Sequence, residues 1–270
     1  MLSRTLSRAA TRVAARVTRH VHTVDVAGIV FRLSCSYPKP GFWARRQPAF
    51  ISGRRADVRV RIEYDEGFAC GTARTVGETM ADAARVRRHG RCVRVSTGYY
   101  RADVDISRGR VTVRMAPGFD IAGLMRTLSA LWLAERGALL VRAACFGPAA
   151  SATLACGLPD PAIPSSAAIG WFAAAPGEGG VEVRPTPFLD RPAVSIRACR
   201  ATTLWLPGSA DEPAIGPVPA LRALFPWIWQ ADRRRGAIER TLDLAARSVT
   251  ALVCRRIDVT NPAPLEAVVG

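Results

Sequence analysis

Leu128–Ala155, LSALWLAERGALLVRAACFGPAASATLA, is the stretch whose reading decides the fold. Its first part continues an apolar stripe begun upstream by Ile121, Leu124 and Met125 and carried on by Leu128, Leu131 and Trp132. That 3.6-residue spacing predicts a helix over Ile121–Arg136, with Asp120 as N-cap and Gly137 just past the end. Ala138–Phe146 is then apolar throughout except for Arg142, which reads as a strand covered on both faces. A small-residue loop opens at Gly147. Helix, buried strand and small-residue loop, in that order, is how phosphate-binding proteins place their loop.

Upstream, from Val24 to Pro117, the period switches to two. Val58, Val60, Ile62 and Tyr64 alternate strictly with Asp57, Arg59, Arg61 and Glu63. Val93/Val95, Val104/Ile106 and Val111/Val113/Met115 continue the pattern, with Ser107-Arg108-Gly109 as a turn. Half-buried antiparallel strands fit this. One short helix is expected near Val76–Arg88, carrying Arg85, Arg87 and Arg88 ahead of His89 and Arg91. That basic cluster reads as a solvated face or as a contact for an anionic partner. Downstream, strands are expected at Val181–Arg184, Val194–Cys199 and Thr203–Leu206. Helices are expected around Ala220–Trp229 and Ile238–Cys254, and a closing strand at Arg255–Thr260. Trp227 and Trp229 read as core anchors. The expected class is α/β (α+β overall): a β-rich region over 23–117, then a mixed sheet with flanking helices over 118–270.

The 270 residues hold 38 basic and 22 acidic side chains, a net charge of +16. Only Lys39 is lysine; the other 37 basic residues are arginine, and Asn261 is the single asparagine. A phosphate-binding surface normally uses both cations, so this bias reads first as a GC-rich coding habit, and a nucleic-acid partner is not expected. Seven cysteines are spread without any C-x-x-C spacing, and the three histidines are His20, His22 and His89. Buried reduced thiols in a cytoplasm-like compartment fit better than a disulfide framework or a metal site. No apolar run of about 20 residues free of charge and proline exists to span a bilayer.

Residues 1–22 stand apart, with no acid before Asp25. Arg4, Arg8, Arg12, Arg16 and Arg19 fall on one side of a helical wheel, and Leu2, Leu6, Ala9, Ala10, Val13 and Val17 on the other. Three readings stay open: a helix lying in an anionic membrane interface, an organellar transit peptide, or a terminal helix that is poorly ordered or docked on the core. A secretory signal fits worse, because no uncharged apolar stretch follows the first arginine.

The same stretch resembles the HPr kinase/phosphorylase-like family, whose kinase domain is similar to phosphoenolpyruvate carboxykinase. Ala138–Ala144 resembles the family's "LLHAA" strand, with Arg142 where the histidine sits. Residues 147–155, GPAASATLA, resemble its phosphate loop "GPSGAGKSTLA" with two residues deleted. Residues 163–168, IPSSAA, resemble the "LLSDD" strand with both acids replaced by Ala167 and Ala168. Thr186-Pro187-Phe188 matches a later "TPF" motif, and Ala220–Phe225 with the helix after it fits the family's tail. The resemblance implies an ATP- and Mg²⁺-dependent protein serine kinase or phosphatase, but the departures fall on one site. A phosphate loop needs glycines for its backbone cradle and a lysine for the β/γ-phosphates, and the paired acids hold the metal. The loop's internal glycines, the lysine and both acids are missing.

The expected protein is therefore a non-catalytic, pseudokinase-like component that binds a protein or peptide and takes no cofactor. The active kinase with a rebuilt ATP site is the alternative, and a peripheral membrane protein attached through its first helix is another. Gly147, Pro148, Ser151 and Thr153 would be the vestige of the phosphate loop near a helix N-terminus, with Arg142, Ser165 and Ser166 beside it, or else Ser151 caps a turn and Arg142 makes a structural ion pair. Trp171 and Phe172, after the lost acids, are the candidate anchors for a peptide, or else fillers of the space the nucleotide left.

Overall fold

The computed structural model describes residues 20–35, 50–65, 85–89, 92–116, 121–158, 163–191, 198–208 and 214–257. Arg4, Arg8, Arg12, Arg16 and Arg19 lie outside them. Strand β1 starts at His20, so the last residues of the expected first helix are β structure.

Seven strands form the first sheet: β1 (His20–Val26), β2 (Ile29–Cys35), β3 (Val58–Tyr64), β4 (Arg85–His89), β5 (Cys92–Ser96), β6 (Tyr100–Asp105) and β7 (Arg110–Met115). Their order is β1-β2-β3-β7-β6-β5-β4. The pairs β2–β3 and β3–β7 are parallel and the rest antiparallel, so the sheet is mixed rather than antiparallel as the alternation alone suggested. Arg85–Arg88 belong to edge strand β4, not to a helix. They pair with Val93–Ser96 in a backbone ladder, and the rest of the expected helix Val76–Arg88 lies outside the described residues. Strands β6 and β7 meet through a turn in which the Asp105 carboxylate accepts from the Ser107 hydroxyl (2.8 Å) and the Arg108 N–H (3.0 Å). Gly109 closes it at φ +58°, where a Cβ would lie 2.2 Å from the Asp57 carbonyl.

Helix α1 (Ile121–Glu135) follows, with Gly137 just beyond it at φ +73°. Ten of its residues, Thr127 and Ser129 among them, are buried, because it lies between two sheets. Phe31 of β2 meets Trp132 edge-on at 6.0 Å on one side. Leu140, Trp171, Ala173 and Phe188 belong to the same core on the other. A helix that is apolar nearly all round needs such a position.

The second sheet contains β8 (Leu139–Phe146), β9 (Ala152–Ala155), β10 (Ala168–Gly177), β11 (Gly180–Arg191), β12 (Cys199–Pro207) and β13 (Val253–Ile257), in the order β11-β10-β8-β9-β12-β13. Pairing of β11 with the first residues of β12 closes five of these strands into a ring, with β13 parallel to the later part of β12. Gly170 marks a register shift between β10 and β11, where a Cβ would stand 2.5 Å from the Leu189 Cα. The face turned from α1 is covered by α2 (Pro217–Leu224) and α3 (Arg235–Thr250), through Ala220, Leu224, Leu244, Ala245 and Val249. A short 3-10 turn (Phe225–Trp227) separates them, so the expected helix over Ala220–Trp229 ends early. Pro226 sits inside that turn, and Trp227 is only partly buried. The expected strand Val194–Cys199 lies largely outside the described residues, and β12 begins at Cys199.

The class is thus the expected α/β, with two mixed sheets and three α-helices among the described residues. Among the described residues no helix is long and apolar enough to cross a membrane.

Candidate functional site

Strand β8 leads into the segment that resembles a phosphate loop, and the chain there turns straight back. The Ser151 N–H donates to the Pro148 carbonyl at 3.0 Å, and the Arg200 N–H donates to the Ala149 carbonyl at 2.7 Å. Gly147 takes φ +94°, and β9 then pairs antiparallel with β8, Phe146 opposite Thr153 and Ala144 opposite Ala155. No helix follows. The expectation that Ser151 and Thr153 stand near a helix N-terminus is corrected: Ser151 is exposed in the turn and Thr153 is half-buried in β9. Without a following helix there is no row of unpaired N–H groups and no dipole end to face a phosphate. Apolar β9 residues Leu154 and Ala155, both buried, explain why the segment continues as a strand.

Ser165 and Ser166 form an exposed turn closed by the Ala167 N–H donating to the Pro164 carbonyl (2.9 Å). The strand resembling "LLSDD" therefore starts at Ala168 rather than ending there. Because Ala168 stands opposite Cys145, this turn lies at the same end of the sheet as residues 147–151. The two positions that the resemblance aligns with acids are closed: Ala167 is fully buried beside Phe146, Trp205 and Ile257, and Ala168 faces the opposite core. Arg142 is engaged elsewhere, 3.5 Å from Asp190 in an exposed ion pair.

Trp171 and Phe172 are core side chains, which corrects their reading as peptide anchors. Successive residues of a strand point to opposite faces. Trp171 accordingly packs toward α1, edge-on to Trp229 at 5.2 Å, with the Arg126 guanidinium over both rings at 5.8 and 5.0 Å. Phe172, 1% exposed, packs toward α2 and α3. Thr186, of the segment matching "TPF", is fully buried and donates its hydroxyl to the Trp171 carbonyl at 2.6 Å. These residues fill the space between the layers and leave no ring face for a partner.

Two arrangements escaped the sequence. Cys145 and Cys199, 54 residues apart, bring their sulfurs to 3.7 Å. The shared hydrogen bond holds Cys199 below the usual thiol range, while that bond and burial push Cys145 up. Cys35, Cys156 and Cys254 are buried as expected, with burial lifting Cys156 to about 12, but Cys92 is exposed. The other arrangement is the outer face of the first sheet. Pairing brings Arg32, Arg59 and Arg110 side by side across β2, β3 and β7. Arg114 stands opposite Arg101 across β7 and β6, and Arg94 opposite Arg87 across β5 and β4. The alternation in each strand announced the outward arginines, but only the register, which period-two patterning leaves open, aligns them. Among the described residues no group of three metal-ligating side chains is assembled.

No protein-family model matches the chain, and no curated protein matches it at a significant level.

Proposed function

We propose that the chain is a non-catalytic binding protein built on an HPr kinase-like plan, a pseudokinase-like scaffold for a protein or peptide. One observation carries this reading: the segment resembling the phosphate loop is a closed turn between antiparallel strands, with the Ser151 and Arg200 amides bonded to carbonyls of the turn. Phosphoryl transfer depends on donors and charges held around the transferred group. Here the lysine is absent, Arg142 is paired to Asp190, and the acid positions are the buried Ala167 and Ala168. A partner of this protein meets its exposed strands and turns, not Trp171 or Phe172.

Calorimetric titration with Mg·ATP tests the reading. The expected result is no saturable heat below the millimolar range, where the binding free energy is weaker than about −4 kcal/mol. Micromolar binding would overturn it in favour of an ATP-dependent serine kinase with a rebuilt site.

A further inference from the structure

We propose that the outer face of the first sheet is a docking surface for an anionic lipid membrane, centred on Arg32, Arg54, Arg55 and Arg59. These four arginines, with Val21, Thr23 and Ala56, line a shallow cleft of about 230 Å³ whose walls contain no carboxylate. Arg54 reaches Asp25 at 3.3 Å, outside that lining. Arg32, Arg55 and Arg59 make no ion pair with any described residue. The row continues through Arg110, whose cross-strand neighbour Asp105 is the first acid along it.

Sheets normally set unlike charges opposite one another, because like charges in register repel. Three adjacent strands with arginine at one level therefore lower the stability of the isolated fold, and an anionic surface laid against them removes that repulsion. A coding preference for arginine accounts for the residue type. It does not account for Arg32, Arg59 and Arg110 sharing one register.

Lipid fits better than nucleic acid for three reasons. No aromatic side chain stands among the outward residues of β2, β3 and β7, so there is nothing on which a base could stack. Val21 (44% exposed), an exposed aliphatic residue of β1, lines the cleft itself, and Ile51 (57%) is exposed on the segment bridged to β1. Basic residues flanked by exposed aliphatic ones suit the headgroup boundary of a bilayer. Finally, the basic amphipathic sequence of residues 1–19 runs directly into β1, the strand that borders the cleft.

The test is co-sedimentation of the full chain with phosphatidylcholine vesicles containing or lacking phosphatidylserine. Binding is expected only with phosphatidylserine and is expected to weaken with added salt. Arg32→Glu/Arg59→Glu should lower the partition coefficient at least about 30-fold, since each basic residue near such a surface contributes several-fold. Arg32→Gln/Arg59→Gln should lower it about 30-fold without introducing acids, which covers the case of a misfolded Glu variant. Arg222→Glu/Arg247→Glu, the same charge change on exposed residues of α2 and α3, should leave most of the binding in place. Equal loss in both Glu pairs would overturn the proposal, because net charge alone would then explain attachment. Unchanged binding in the sheet variants would overturn it too. So would tighter binding to a short DNA or RNA duplex than to the vesicles, abolished in the sheet variants.

Discussion

The two sheets of this protein treat their faces differently. The first has one apolar face, against α1, and one face lined with arginine and open to water. The second is covered twice, by α1 on one side and by α2 with α3 on the other, and five of its strands close into a ring. The same kind of side chain consequently has opposite effects in the two places. A carboxylate is welcome among the arginines of the first sheet and has no partner inside the second.

An acid placed inside the second sheet is the harshest way to break that contrast. Ala167→Asp puts a carboxylate at a fully buried site beside Phe146 and Trp205, and is expected to cost about 3–5 kcal/mol, as an unpaired buried charge does. Thr112→Asp, between Arg61 and Asp103 on the exposed outer face of the first sheet, should shift stability by no more than about 0.5 kcal/mol. Urea unfolding of both variants measures the difference, and equal costs would contradict the contrast. Within the second sheet, Trp171→Ala should cost about 3–5 kcal/mol, because the ring fills space between α1 and β10. Arg142→Ala, directly opposite it in register, should cost under about 1 kcal/mol, since its ion pair with Asp190 is exposed. Partner capture that survives Trp171→Ala below the melting temperature would agree with a core role for the ring.

The first sheet is the easier to read because its alternation is a direct record of one wet and one dry face. Ala56–Tyr64 and the Ser107–Gly109 turn are visible residue by residue. What the pattern cannot carry is pairing: β3 sits between β2 and β7 in parallel, a long-range choice that leaves no trace in period. The basic run Arg85–Arg88 reads as helix rather than strand for a related reason, since its one half-buried residue, Val86, gives no periodicity to count. In the second part of the chain the strand Ala138–Phe146 and the helix before it are legible from length and from Gly137 between them, while the expected N-cap Asp120 lies outside the described residues. The loop after it is not, because GPAASATLA looks like the start of a helix by likeness to a phosphate loop. Its alternation of Ala152 and Leu154 inward is too short to outweigh that likeness. Trp171 and Phe172 follow Ala167 and Ala168 closely in sequence, and the fully covered sheet decides that both are core.

Smaller effects sharpen the same comparison. Arg59→Glu should stabilise the isolated protein by about 0.2–1 kcal/mol, because it replaces two arginine–arginine neighbours with pairs of opposite charge. The gain should shrink in high salt, and a loss of stability would argue that Arg59 already has a stabilising role in the free fold. Asp232 gives the smallest effect. Burial raises its pKa, but hydrogen bonds from the Arg234 side chain and N–H outweigh that and hold it below the usual carboxylate range. A carboxyl lowered by folding stabilises the protein above its unfolded value, near about 3.9, and that contribution fades as pH falls through the lower folded value. Asp232→Asn should therefore reduce stability at neutral pH and match the parent in strong acid. A difference that persists unchanged into acid would contradict the assignment.

Amide-resolved NMR of the turn at residues 147–151, recorded while Mg·ATP is added to millimolar concentration, tests the central claim most directly. The account predicts cross-strand proximity of Phe146 and Thr153, a slowly exchanging Arg200 amide, and no saturable shift of the Gly147, Ala149, Ala150 or Ser151 amides. Saturable shifts of those four amides at micromolar nucleotide, with Phe146 and Thr153 no longer adjacent, would contradict it.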